Sequence, residues 1–264
     1  MSRFIAAMDH SGGSTGGVLE RYGQAFTEED KMEKVHAMRL RMVNSPDFNN
    51  TNIWAAILYQ DTVQRGMVPL LKAKGIQSFL KIDSGCEDNG YLKYFKLDKM
   101  TDYANEHECY GTKMRSIVKS LDVMDMILEQ QFALAERIYS VGLMPIIEPE
   151  VPIEHTDKAY LEATLLTKLT DKLSALDGKC ILKLTPPEVT NLYHPLTINP
   201  NVVKVVFLSG GYSTTEACNR LGLNDDVGAS FSRALSERLH YDLTDADFNA
   251  IMSSNIKMIT TAGN

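Results

Sequence analysis

Short apolar runs recur along the whole 264-residue chain, each followed by a longer polar or amphipathic stretch. This alternation is the mark of βαβ units and therefore of a parallel sheet. Eight runs stand out, at 4–8, 53–58, 76–82, 109–114, 143–148, 180–184, 202–208 and 227–231. Most are apolar at consecutive positions, as expected where one strand face packs the centre of a barrel and the other lies under a helix. They predict a single (β/α)8 TIM barrel, with residues 1–264 as one domain. Helices are expected at 28–43, 61–74, 122–141, 156–176, 214–221, 233–239 and 245–253. The first is opened by Thr27 with Asp30 three residues on, a capping-box pattern, and its Met32, Val35, Met38 and Met42 recur at helical spacing as core filling. An open, doubly wound sheet is the structural alternative. It usually carries a G-x-G-x-x-G turn after an early strand, which Ser11-Gly12-Gly13-Ser14 does not match.

Several functional classes are excluded early. A formal net charge of −7 and the lack of any Lys/Arg run disfavour a nucleic-acid partner, so any phosphate must be bound locally. No apolar run approaches the roughly 20 residues that span a bilayer. The apolar opening is too short for a secretory signal and reads as a strand, so a cytoplasmic location is expected. Cys86, Cys109, Cys180 and Cys218 are widely spaced and form no C-x-x-C pair, which points to reduced structural thiols. A homo-oligomer is compatible with the sequence, as for many soluble enzymes.

In a barrel, function sits at the C-terminal ends of the strands, so polar residues interrupting the runs there are the candidates. Asp9 ends the first run, Lys81 and Asp83 sit in the third, Lys113 and Arg115 in or after the fourth, Glu148 and Glu150 at the end of the fifth, and Lys183 in the sixth. Desolvating an ammonium is costly, and three lysines in apolar strands need a reason. Burial and neighbouring cations both favour a free amine, which can attack a carbonyl and form a Schiff base. The same cations suit a phosphorylated substrate. Lys204 lies early in its run and is expected at the opposite, non-catalytic end. Glu148 and Glu150 flank Pro149 and share a strand face, placing carboxylates where proton transfer is needed. After the seventh run, Ser209-Gly210-Gly211 leads into a helix, and Arg233 follows the eighth; paired glycines, a helix N-terminus and a guanidinium together make a phosphate site.

Ordered segments running nearly from end to end resemble the class I fructose-bisphosphate aldolases, most closely their short bacterial form. These include Ile5-Ala6-Ala7-Met8-Asp9-His10-Ser11-Gly12-Gly13-Ser14-Thr15, Gly111-Thr112-Lys113-Met114-Arg115, Ile146-Ile147-Glu148-Pro149-Glu150-Val151, Leu182-Lys183-Leu184-Thr185, Leu208-Ser209-Gly210-Gly211-Tyr212-Ser213 and Ala229-Ser230-Phe231-Ser232-Arg233-Ala234-Leu235. The resemblance implies reversible cleavage of fructose 1,6-bisphosphate to dihydroxyacetone phosphate and glyceraldehyde 3-phosphate, in glycolysis and gluconeogenesis, without metal or cofactor. It implies Lys183 as the imine-forming lysine, Glu148 as general acid/base, Asp9 for the C–C cleavage step, and Lys113 and Glu150 as tuning groups. Ser209, Gly210, Gly211 and Arg233 would hold the C1 phosphate, with Ser11, Ser14, Lys81 and Arg115 towards the other phosphate.

The chain also departs from the family pattern. Ser84, in Lys81-Ile82-Asp83-Ser84-Gly85, stands where the family usually has a second lysine, and Gly16-Gly17 replaces a proline-bearing turn. Two competing readings follow. Another Schiff-base barrel lyase acting on a sugar monophosphate would turn over fructose 1-phosphate far faster than the bisphosphate. A barrel that only binds sugar phosphates would show no aldol cleavage at all. The six histidines show no H-x-x-x-H spacing, unlike a zinc-dependent aldolase. Prolonged EDTA treatment is therefore expected to leave aldol cleavage intact, and loss of activity restored by zinc would overturn the class I reading.

Overall fold

The computed structural model describes residues 4–11 and 13–263. Eight parallel strands form one sheet in sequence order: β1 (Ile5–Met8), β2 (Ala55–Leu58), β3 (Gln77–Lys81), β4 (Gly111–Ile117), β5 (Met144–Glu150), β6 (Cys180–Leu184), β7 (Val202–Phe207) and β8 (Gly228–Ala229). The Ala7 N–H donates to the Phe231 carbonyl at 3.1 Å and so links the last strand back to the first. Around the sheet run α1 (Gly13–Arg21), α2 (Lys31–Asn44), α3 (Gln60–Gln64), α4 (Met67–Ala73), α5 (Leu97–Glu106) and α6 (Leu121–Ser140). They continue with α7 (Lys158–Ala175), α8 (His194–Thr197), α9 (Thr214–Gly222), α10 (Arg233–Ser236) and α11 (Asp245–Ala262). The fold is the expected (β/α)8 barrel.

Two cores follow from the strand period of two. Outward side chains of the strands pack under the helices. Inward ones, among them Ile5, Ala7, Ile57, Phe79, Ile146 and Ile181, fill the barrel centre and make a dry floor. Continuing the inward sequence by two residues on each strand reaches Asp9, Lys81, Lys113, Glu148 and Lys183. The alternation therefore turns from apolar to charged within one step along the barrel axis. Lys204 is one register step lower than Lys183, opposite Ile181. Its ammonium lies 4.8 Å from the Trp54 ring centroid, at the opposite end as expected.

Element boundaries depart from the sequence expectation for identifiable reasons. Strand β4 continues to Ile117 because Arg115 and Ile117 pair in register with Glu148 and Glu150 of β5, so charged inward residues ended the apolar signal before the strand itself ended. The helix expected at 61–74 is two helices, broken at Gly66, whose φ of 84° lies in the left-handed region. The last helix runs to Ala262 and buries Ile256 and Ile259, while α10 stops at Ser236. Helices α1, α5 and α8 were not expected; α1 carries Gly16 and Gly17, poor helix formers. The Thr27–Asp30 capping box forms reciprocally: the Thr27 N–H donates to Asp30 Oδ1 at 2.7 Å and the Asp30 N–H to Thr27 Oγ1 at 3.3 Å, one turn before α2 is counted.

Phe79 is fully buried in the barrel floor, edge-on to Tyr110 with ring centroids 5.5 Å apart. Phe79→Ala is expected to cost about 3–5 kcal/mol, the usual range for emptying an aromatic core site. Thermal unfolding should show it as a fall in Tm of several degrees or more.

Candidate active site

A cavity of about 680 Å³ opens at the C-terminal end of the barrel. Its floor is the charged layer. Lys183 Nζ lies 3.1 Å from Glu148 Oε1, and Lys113 Nζ lies 2.8 Å from Glu148 Oε2 and 3.0 Å from Asp9 Oδ2. The Lys113–Asp9 contact is a directed hydrogen bond. Lys183, Glu148 and Lys113 are all buried, with side chains 5%, 3% and 4% exposed. One cation thus bridges two carboxylates while a second stands against one of them.

Electrostatics follow from this packing. Burial alone would raise the Asp9 carboxyl, but Lys113 and Lys183 overcome it and hold the group well below the usual carboxylate range. Burial would lower the Lys113 ammonium; Asp9, Glu148 and Asp83 reverse that and keep it protonated. Burial raises Glu150, with Arg115 opposing and Glu148 reinforcing. Glu150 sits one step out from the floor, accepting from Arg115 Nη1 at 3.1 Å. His10, next to Asp9, is pushed down to about 4, first by burial and then by Arg39 and Arg21, with Asp9 opposing. Its Nε2 is 3.0 Å from the Ser232 hydroxyl.

The carboxylates are held from behind. Gln131 of α6 is fully buried and accepts the Glu148 N–H at 3.2 Å while donating to the Glu148 carbonyl at 3.3 Å and the Ser116 hydroxyl at 2.8 Å. The Thr185 hydroxyl accepts the Val151 N–H at 3.0 Å and donates to its carbonyl at 2.7 Å, tying the exit of β5 to that of β6.

At the rim, Ser209, Gly210, Gly211 and Arg233 line one side of the cavity. Gly210 and Gly211 have φ of 55° and 110°, and a Cβ on Gly210 would come within 2.8 Å of Ile153 Cγ2, so this loop needs its glycines. Ser11, Lys81 and Arg115 also line the cavity. Lys81 is engaged by Asp83, 2.8 Å from both Oδ1 and the carbonyl oxygen. The Ser14 side chain lies outside the described residues. Among the described residues no three His, Cys, Asp or Glu side chains are grouped as metal donors.

Of the cavity's polar lining residues, the sequence had not nominated His10, Arg21, Ser230 or Ser232. Ser232 carried a signal, being next to Arg233. Ser230 is 2% exposed and its hydroxyl has no partner among the described residues. Gln131 and Arg21 sit on helices, where nothing in the strand pattern marks them. The four cysteines are free thiols; burial pushes Cys109 and Cys218 up to about 11 and Cys180 up to about 12, which leaves them inert.

No family model matches the chain. Its fold is similar to that of fructose-bisphosphate aldolase from Plasmodium falciparum, with a TM-score of 0.78 at 20% identity over 98% of this chain and 89% of that one. It is also similar to an archaeal fructose-1,6-bisphosphate aldolase whose catalytic lysine is covalently bound to a carbinolamine intermediate, with a TM-score of 0.59 at 9% identity over 98% and 94% of the two chains. Identities this low speak for the fold alone. Sequence similarity is much closer to the class 1 fructose-bisphosphate aldolase of Clostridium acetobutylicum, 43% identical over 98% of this chain and 94% of that protein. With that identity over nearly the full length of both, the chain belongs to the class 1 fructose-bisphosphate aldolase family.

Proposed function

We propose that this chain reversibly cleaves fructose 1,6-bisphosphate to dihydroxyacetone phosphate and glyceraldehyde 3-phosphate through an imine on Lys183. The observation that carries the reading is the buried Lys183–Glu148–Lys113–Asp9 array on the floor of a cavity whose rim carries cations and a glycine loop. An amine, a proton carrier 3.1 Å away and a second carboxylate are the parts that imine chemistry needs.

In this mechanism Glu148 takes the proton from Lys183, whose nitrogen then attacks the C2 carbonyl. Glu148 returns a proton to the carbinolamine hydroxyl, water leaves, and a protonated imine forms. Asp9 accepts the proton of the C4 hydroxyl as the C3–C4 bond breaks. The bond's electron pair moves into the imine to give an enamine, and glyceraldehyde 3-phosphate departs. Protonation of the enamine at C3 and hydrolysis of the imine release dihydroxyacetone phosphate. Lys113 holds Asp9 ionised and keeps Asp9 and Glu148 in place. Ser209, Gly210, Gly211 and Arg233 bind the C1 phosphate, with backbone N–H groups and a guanidinium matched to its oxygens. Ser11, Lys81 and Arg115 face the other phosphate, with Ser14 alongside. This reading makes a phosphorylated sugar the partner and a cytoplasmic homo-oligomer the natural setting, with no part for nucleic acid or membrane; no helix among the described residues is long and apolar enough to cross a membrane.

Borohydride added with dihydroxyacetone phosphate is expected to inactivate the enzyme and leave a mass adduct on the peptide carrying Lys183. Lys183→Met should abolish adduct and turnover, and Glu148→Gln should slow adduct formation in a folded protein. An adduct on Lys113 or Lys81 would move the nucleophile; no adduct in an active enzyme would refute the mechanism.

Arg233→Ala is expected to lose about 2–3 kcal/mol of transition-state binding, seen chiefly as a raised KM for the bisphosphate. An unchanged KM would mean that the C1 phosphate sits elsewhere.

A further inference from the structure

The distal side of the cavity presents a charge problem. Ser84 puts no cation there, and the Lys81 ammonium is already engaged by Asp83. A dianionic phosphate at this end needs more positive charge than Lys81 and the half-engaged Arg115 supply.

Helix α1 offers another source. It starts at Gly13, two positions after Ser11, and ends in Arg21, which lines the cavity although it lies four positions beyond the other lining residue of the helix, Gly17. Helical side chains lean towards the N-terminus, so a residue at 21 lies over position 17. A Cβ built on Gly17 would have Arg21 Nη1 as its nearest neighbour, at 3.5 Å. The guanidinium therefore occupies the space that a long side chain at 17 would fill, and glycine, a poor helix former, keeps that space open. The Arg21 charge is also felt at His10, so the guanidinium stands on the β1 side of the cavity. Among the described residues Arg21 makes no ion pair.

We propose that Arg21 is a specificity-determining residue that reaches back across Gly17 to bind the phosphate remote from the cleaved ketose end, together with Ser11 and Lys81. The assignment rests on the proposed cleavage of fructose 1,6-bisphosphate. It makes Gly17 and Arg21 a matched pair: the glycine has its role only because of the arginine one turn later. A guanidinium suits the task, since its fork can donate two parallel hydrogen bonds to phosphate oxygens from a flexible, partly solvated arm.

The test compares kcat/KM for fructose 1,6-bisphosphate and for fructose 1-phosphate, which lacks the remote phosphate. Arg21→Gln is expected to lower the ratio of the two by about tenfold or more, the effect of losing one charge-assisted contact. Gly17→Leu should lower the same ratio by displacing the guanidinium, while its melting temperature stays level or rises. A ratio unmoved by Arg21→Gln, or equal losses on both substrates, overturns the assignment. A ratio that falls with Arg21→Gln and stays intact with Gly17→Leu overturns the reach across Gly17. Borohydride trapping with dihydroxyacetone phosphate on the same proteins keeps the two readings apart. No adduct and no cleavage in the unaltered protein overturns the aldolase reading itself, whereas an active, trappable enzyme with an unmoved ratio overturns only the role of Arg21.

Discussion

Everything at the mouth of this barrel depends on mutual compensation among charges that have been taken out of water. Burying an isolated ammonium or carboxylate costs several kcal/mol, and the cost is recovered only where opposite charges lie within a few ångströms. Lys113, Glu148 and Lys183 come from β4, β5 and β6 and Asp9 from the residue just past β1, and their contacts of 2.8–3.1 Å exist only if those strands keep their register. Removing Glu148 would take the carboxylate from beside Lys183, and removing Lys113 would take the ammonium from beside Asp9. The array is therefore a constraint on strand register as well as a catalytic floor, although a buried ion pair is weak ground for any claim of net stability.

The surrounding structure serves to keep that array still. Beneath it the floor is packed with apolar side chains, mostly aliphatic, which give the charges no polar partner from below. Behind it, Gln131 grips both backbone groups of Glu148, and Thr185 ties the chain just beyond Glu150 to the end of the lysine strand. A similar device acts further out. Lys158 is buried against Glu162, with Nζ also 2.8 Å from the Pro186 carbonyl and 3.0 Å from Glu188 Oε1; the Tyr212 hydroxyl donates to that same oxygen. One ammonium thus joins the loop after β6 to the loop that carries Gly210 and Gly211. Preorganisation of this kind lets an amine and a carboxylate meet a substrate without reorganising first.

How much of this was legible depended on the physical signal that each part leaves in a sequence. The barrel was legible because eight apolar runs are required to build one, and the floor charges because they violate those runs. Strand ends were less so. In β4 and β5 the inward positions turn charged while the backbone ladder continues, so hydropathy stops before hydrogen bonding does. Helix α11 was underestimated because its second half buries residues at a spacing interrupted by Ser253, Ser254 and Asn255, the last of which is buried by donating to the Leu235 and Glu237 carbonyls. Supporting residues such as Gln131 leave no trace, since a glutamine on a helix looks the same whether it faces solvent or a strand.

The rim follows a different logic from the floor. Floor residues lie on strands and answer to one another, so a change in any one propagates. Rim groups such as Arg115, near the end of β4, and Arg233, at the start of α10, are exposed and line the cavity. A cation for a phosphate need only bring its charge within reach, and a long flexible side chain can do so from several starting points. A neutral Ser84 is therefore tolerable where a neutral residue at Lys113 is not: the first can be offset by a guanidinium arriving from another element, whereas the second would leave Asp9 without the ammonium from which it accepts. Chemistry is fixed by the register of the barrel, and affinity for the far end of the substrate is left to whichever helix or loop can supply the charge.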